Sequence, residues 1–141
     1  PTLLPVPQNI DNTAAEFSVV SGTWPSGNTL SGAYGPDYLL HTGDNSGAKV
    51  RWTPDLPERG YYAVYAWWPS ADTSYATNAS FKVGYFLGAS TRTVNQQSNG
   101  GRWNYLGSFY FEAGASGYVE LSDAATGKVL ADAVRFYREG R

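Results

Sequence analysis

The amino-acid sequence predicts an all-β protein built as an antiparallel β-sandwich, and three observations carry that prediction. No window sustains apolar residues at the i, i+3, i+4, i+7 spacing of a helix. Gly and Pro, 16 and 8 of the 141 residues, break the chain too often for a long helix. Between those breaks lie short alternating or apolar runs bounded by turn residues, the pattern of strands in a sandwich. The chain reads as one domain over residues 1–141 with its core in 9–137. At this length a fold buries about 68–70% of the surface its unfolded chain exposes, so no staples are required.

The elements follow in order. Phe17–Trp24 is the first expected strand, closed by PSGNTLSG, and Asp37–His41 is the second, closed by GDNSG. Ala48–Thr53 alternates, with Ala48, Val50 and Trp52 on a core face and Lys49, Arg51 and Thr53 on the other. The turn PDLPERG then launches Tyr61–Trp68, which departs from simple alternation. Tyr62, Val64, Ala66 and Trp68 share one face and Tyr61, Ala63, Tyr65 and Trp67 the other, so both faces are apolar. A strand reads this way when it is covered on both sides or when one face is an aromatic platform. Phe81–Phe86, Thr91–Gln96, Tyr105–Phe111, Tyr118–Leu121 and Val129–Tyr137 complete nine strands in two packed sheets, with QSNGG, EAGASG and DAATGK as turns. There is no internal repeat. The opening PTLLPVP lacks the basic region of a signal peptide, and with the ending REGR it reads as a cut point, so a domain of a larger secreted protein is expected.

Composition excludes several chemistries. Without Cys there is no disulfide, thiolate nucleophile or cysteine zinc site, and a single histidine, His41, nearly excludes a His/Cys metal cage. Net charge is −2 with a pI near 5.2, and the basic residues are scattered, which argues against a nucleic-acid partner. No apolar run reaches the ~18–20 residues of a helical membrane span. His41 has no G-x-S-x-G elbow to serve and reads as a strand-end residue bonded to a loop. Most acids lie in turns, without a motif for a hydrolase pair. Asp132, in VLADAVRFY, falls on the face of Leu130, Val134 and Phe136 and is expected to tie down backbone N–H groups. DNSG at Asp44–Gly47 offers oxygens to calcium but lacks the full loop pattern, so a turn is the reading there. No cofactor and no metal site is assigned.

What the chain does supply is the chemistry of sugar binding: flat rings for the C–H faces of pyranoses, and amides or guanidinium groups for hydroxyls and carboxylates. Tyr65 and Trp67 are expected as a platform, with Tyr75 and Trp103 at its edge and Asn78, Asn95, Gln96 and Arg102 as polar contacts. Arg51, opposite its strand's core face, is the expected reader of an acidic sugar. The Asn78-Ala79-Ser80 triplet matches a glycosylation acceptor and is discounted. A second reading makes the chain a spacer or docking module whose aromatic faces are buried in a parent protein.

The same residues carry a resemblance. IDNTAAEFSVVSGTW, YGPDYLL, VRWTPDLPERGYYAVYAWWP, YATNASFKV, TVNQQSNGGRWNYLGSFYF and GYVELSDAATGKVLADAVRFY resemble the C-terminal domain of golvesin and the carbohydrate-binding domain of bacterial xanthan lyases. The resemblance runs from Asn9 to Tyr137. It implies a jelly-roll-like β-sandwich appended to secreted bacterial enzymes or surface proteins that meet polysaccharide, with no catalytic residues of its own. The expectation is therefore a monomeric, extracellular, non-catalytic carbohydrate-binding module. Its partners would be a polysaccharide, acidic in the manner of xanthan, and the other domains of its parent chain.

Overall fold

The computed structural model describes residues 7–139; most of PTLLPVP and the final Gly-Arg lie outside them. The described residues contain no helix and form twelve strands in three antiparallel sheets. In the first sheet β1 (Gln8–Asp11), β12 (Ala133–Arg138), β6 (Gly60–Trp68) and β9 (Arg102–Phe111) are hydrogen-bonded in that order. The second sheet has the order β2 (Phe17–Ser21), β5 (Lys49–Trp52), β10 (Tyr118–Ser122), β7 (Ala79–Tyr85), β8 (Gly88–Val94). A third, of β11 (Val129–Ala131), β4 (Tyr38–His41) and β3 (Ser26–Gly27), completes the fold.

The two larger sheets pack face to face through the residues that alternation assigned to the core. Val50 and Trp52 of β5, Phe81 and Val83 of β7, and Val119 and Leu121 of β10 are buried on one side. Tyr62, Val64, Ala66 and Trp68 of β6, with Ile10, Val134 and Phe136, are buried on the other. Phe81 joins the layers, its ring stacked 6.2 Å from Trp52 and 6.2 Å from Trp68. Each large apolar side chain buried this way contributes about 1.5–3 kcal/mol. The indoles keep their polar tips satisfied, Trp52 Nε1 donating to the Asp132 carbonyl and Trp68 Nε1 to the Ser98 carbonyl, as buried Trp requires.

Strand positions depart from expectation in three ways. β1 and β3 were not foreseen, because QNID and SG carry no alternation. The strand expected over Phe17–Trp24 ends at Ser21, where Gly22 takes φ 85° and turns the chain. The single run expected over Val129–Tyr137 is two strands in different sheets, broken at Asp132.

Candidate functional site

The outer face of the first sheet is aromatic where β6 and β9 meet. Registers place Asn9, Arg135, Tyr65 and Tyr105 in one row across four strands, and Asp11, Ala133, Trp67 and Trp103 in the next. Tyr65 and Tyr105 pack at 5.5 Å between centroids, and Trp67 meets Trp103 edge to face at 5.3 Å. Tyr34, from the loop before β4, packs on both indoles at 5.5 and 5.3 Å. The Arg135 guanidinium lies 4.5 Å above the Trp103 ring and its Nε donates to Asn9 Oδ1 at 2.8 Å. Tyr105, at 60% exposure, is the open ring of the set, while Tyr65, Trp67 and Trp103 are half-buried.

Beside Tyr105 lies a cleft of about 200 Å³ lined by Trp68, Val94, Asn95, Ser98, Asn99, Asn104 and Tyr105. This is smaller than the ~300–1,000 Å³ of sites that enclose a ligand, and fits one edge of a sugar rather than a whole one. Asn95 Oδ1 accepts the Gln97 N–H, and Asn104 Nδ2 bonds the Asn99 and Arg102 carbonyls, so these side chains are held in place. No hydrogen bond to the described residues uses Asn95 Nδ2 or the Asn99 side chain.

The loop carrying Tyr34 is anchored from below. Trp67 Nε1 donates to the Gly32 carbonyl at 2.8 Å, and the Tyr34 N–H donates to Asp132 Oδ2 at 2.9 Å. Asp132 is 1% exposed, and Asn12 Nδ2 donates to Asp37 Oδ1 nearby. Asp11 Oδ1, Asn12 Oδ1 and Asp132 Oδ1 are buried without a hydrogen-bond partner. Burial, assisted by Asp11 and Asp37 against the Tyr34 N–H, raises the Asp132 carboxyl to about 8, so it keeps its proton at neutral pH. Hard oxygens with unfilled lone pairs are also the donor set a divalent cation such as calcium accepts.

A second cluster, His41, Asp44 and Asp123, brings its ligand atoms within 4.8 Å of one another. Here the buried carboxylate is already occupied: Asp123 accepts from the Ser46 N–H and hydroxyl and the Gly47 N–H. Burial pushes Asp123 upward, but these hydrogen bonds outweigh it and hold the carboxyl at about 2. DNSG is therefore a turn clamped by Asp123. His41 Nδ1 bonds the Thr42 carbonyl at 2.7 Å, as a strand-end residue tied to its loop.

The sequence profile of the golvesin C-terminal domain matches residues 8–138. The chain belongs to the golvesin C-terminal domain family. Xanthan lyase of Bacillus sp. (strain GL1) is 35% identical over 136 residues, 93% of this chain and 14% of that protein. A solved Paenibacillus xanthan lyase superposes with a TM-score of 0.87 at 39% identity, over 95% of this chain and 13% of that one. A CBM35 from Cellvibrio japonicus Abf62 has a TM-score of 0.67 at 18% identity, over 96% and 99% of the two chains, and shares the fold. The golvesin-type domain thus spans a small part of the xanthan lyases it matches, and its sandwich is that of carbohydrate-binding modules.

Within this golvesin-type domain the structure brings together Tyr65, Trp67 and Trp103, with Asn95 in the adjoining cleft. Arg102 is exposed but pairs with core-facing Trp68 and alternates to the opposite face of β9 from Trp103, so it does not join the platform. Four other expected contacts are corrected. Gln96 is 0% exposed, and its amide is consumed by Leu130, Nε2 donating to the carbonyl and Oε1 accepting the N–H, both at 2.9 Å. Tyr75 is buried, with Lys128 over its ring at 4.9 Å, and does not edge the platform. Asn78 Oδ1 is taken by the Thr126 N–H and hydroxyl. Arg51 lies in the second sheet, bonded to buried Glu120 at 2.6 Å and stacked on Tyr118 at 4.1 Å. Sequence reasoning missed Tyr34, Tyr105 and Arg135 as members of the aromatic face. Tyr105 and Arg135 were within reach, because pairing β12 and β9 with the aromatic strand puts them on its outer face.

Proposed function

We propose that the domain is a non-catalytic carbohydrate-binding module that holds a parent enzyme or surface protein on an extracellular polysaccharide, acidic in the manner of xanthan. The observation that carries this reading is the exposed Tyr105 ring, set between Tyr65 on the outer face and the amide-lined cleft. A pyranose stacking on Tyr105 would present hydroxyls to Asn95 and Asn99, the pairing of apolar face and fixed polar groups that sugar recognition needs. The xanthan lyases matched at 35% and 39% identity support the substrate class. The open face buries little of a ligand, so affinity is on the order of 10–100 μM, about 5.5–7 kcal/mol, strengthened by avidity on a polymer.

Affinity electrophoresis against acidic and neutral polysaccharides tests this. Retardation by one glycan, lost in folded Tyr105→Ala and Trp67→Ala variants, is the expected result; a wild-type chain that no glycan retards refutes it. A second reading, docking within the parent protein, is favoured by the opposite end of the same face. There Tyr61 and Tyr137 are exposed, and the adjoining tip between β7 and β8 of the second sheet exposes Phe86, packed on Tyr110, and Leu87, the latter at 89%. It predicts that Leu87→Asp weakens association with a neighbouring domain and leaves glycan retardation intact.

A further inference from the structure

We propose that Arg135 reads the carboxylate of an acidic sugar bound on the aromatic face, a uronate or a pyruvyl ketal. The inference rests on the carbohydrate-binding reading and names the charge its ligand carries and the residue that recognises it. Among the described residues the ion pairs occupy Arg51, Arg138 and His41, and none of these lies in the row of Tyr65 and Tyr105. Arg92 is likewise engaged, by the Leu106 carbonyl and the Ser90 hydroxyl. Arg135 differs. It is the cross-strand partner of Tyr65, and no carboxylate of the described residues lies within 4.0 Å of it.

A guanidinium has five N–H donors in a planar fork. In Arg135 the Nε–H is used by Asn9 Oδ1, and stacking on Trp103 fixes the plane. The four N–H groups on Nη1 and Nη2 make no hydrogen bond to the described residues. That end-on edge is the one a carboxylate engages bidentately, and Arg rather than Lys suits a site that is both stacked and forked. The neighbouring Tyr65 and Tyr105 supply the apolar surface on which the ring of the same sugar would rest. Arg51, which shares the other outer face with Lys49 and Lys82, has its charge answered by Glu120 and cannot take this role.

The test is affinity electrophoresis of the 141-residue chain in gels containing xanthan, xanthan with its carboxyl groups reduced to alcohols, or a neutral polysaccharide. Arg135→Gln, Arg135→Lys and Tyr105→Ala variants are compared after their melting transitions are recorded. We expect Arg135→Gln to weaken retardation by native xanthan about tenfold to a hundredfold, the cost of losing charged hydrogen bonds, and to weaken retardation by the reduced polymer by a much smaller factor, so that the preference for the native polymer is lost. Arg135→Lys should fall between, keeping the charge and losing the fork. A folded Arg135→Gln chain that still prefers the native polymer, or a wild type retarded equally by native and reduced forms, overturns the assignment to Arg135. In those cases the Tyr105→Ala loss leaves the binding reading standing. If no glycan retards the wild type, the binding reading itself fails. Should Arg135→Gln not fold, salt dependence decides: wild-type affinity for native xanthan no more salt-sensitive than for the reduced polymer overturns the proposal.

Discussion

Replacing Asp132 by Asn converts a buried titrating group into a neutral one of the same shape, and its effect on stability follows from proton linkage. The Asn side-chain oxygen can still accept the Tyr34 N–H that Asp132 Oδ2 now accepts. In the wild-type chain the Asp132 carboxyl is raised from 3.8 to about 8. Between those values the folded chain holds a proton that the unfolded chain has released. A group bound more tightly by protons in the folded state makes stability fall as pH rises, here by about 1.4 kcal/mol per pH unit. From pH 4 to pH 7 the loss is about 4 kcal/mol, and the Asn variant escapes it. With a urea dependence near 2 kcal/mol/M, the midpoint of the variant should exceed that of the wild type by roughly 2 M at pH 7. The two should converge toward pH 4. Urea titrations followed by Trp fluorescence at pH 4 to 8, in the presence of a chelator, read this directly. Asp72 and Asp123, whose carboxyls are lowered, titrate below that window and do not contribute. A wild-type midpoint that tracks the variant across the series refutes the argument that Asp132 is a buried, protonated acid.

Gln96→Ala leaves both backbone groups of Leu130 without the amide that pairs them, and thermal melts should show a loss of about 2–6 kcal/mol, since each orphaned buried group costs about 1–3 kcal/mol. Asp123 is held at about 2 in the folded chain, so its stabilisation is present above the ordinary carboxylate range and is lost as pH falls from about 4 to 2. Asp123→Asn should flatten that limb of an acid titration followed by near-UV circular dichroism. Leu87 sits at φ 66° on the exposed tip between β7 and β8, a conformation that costs a branched residue about 1–2 kcal/mol and Asn less. Leu87→Asn should therefore raise the melting midpoint, and a lowered midpoint would count against strain at the tip.

The sandwich was legible because its signal is local. Alternation in KVRW and the two-sided run of β6 give the faces directly, and Tyr62, Val64, Ala66 and Trp68 are buried where parity puts them. The outward placement of Tyr65 and Trp67 was legible for the same reason. What stayed hidden depends on which strands are neighbours. Arg135 reads on its own as a surface charge on a terminal strand, and only the order β12-β6-β9 brings its guanidinium over Trp103. Gln96 shows the opposite failure. In VNQQSNGG it is one amide among several, and nothing local says that it substitutes for a strand beside Leu130. Arg51 was placed on the correct side of its own strand, but its sheet is the other one. The rise of the Asp132 carboxyl has no sequence signature, since it arises from burial in the folded chain, assisted by Asp11 and Asp37, which lie far away in the sequence.

The register of β6 against β9 shifts between Val64 and Tyr65, where Leu106 of β9 is left over between Tyr105 and Gly107. The Arg92 guanidinium, reaching from the second sheet, donates to the Leu106 carbonyl at 2.9 Å and lies 5.1 Å from the Phe109 ring. Before the extra residue the odd-numbered side chains Trp103 and Tyr105 point outward; after it the odd-numbered Phe109 and Phe111 point into the core. One strand therefore obeys two opposite parities, and a single residue separates them. Deleting it would force a choice between keeping the rings that face solvent and keeping those that hold the layers together. The halves of β9 therefore answer to different neighbours, the rings of one to whatever touches the surface and those of the other to the interior.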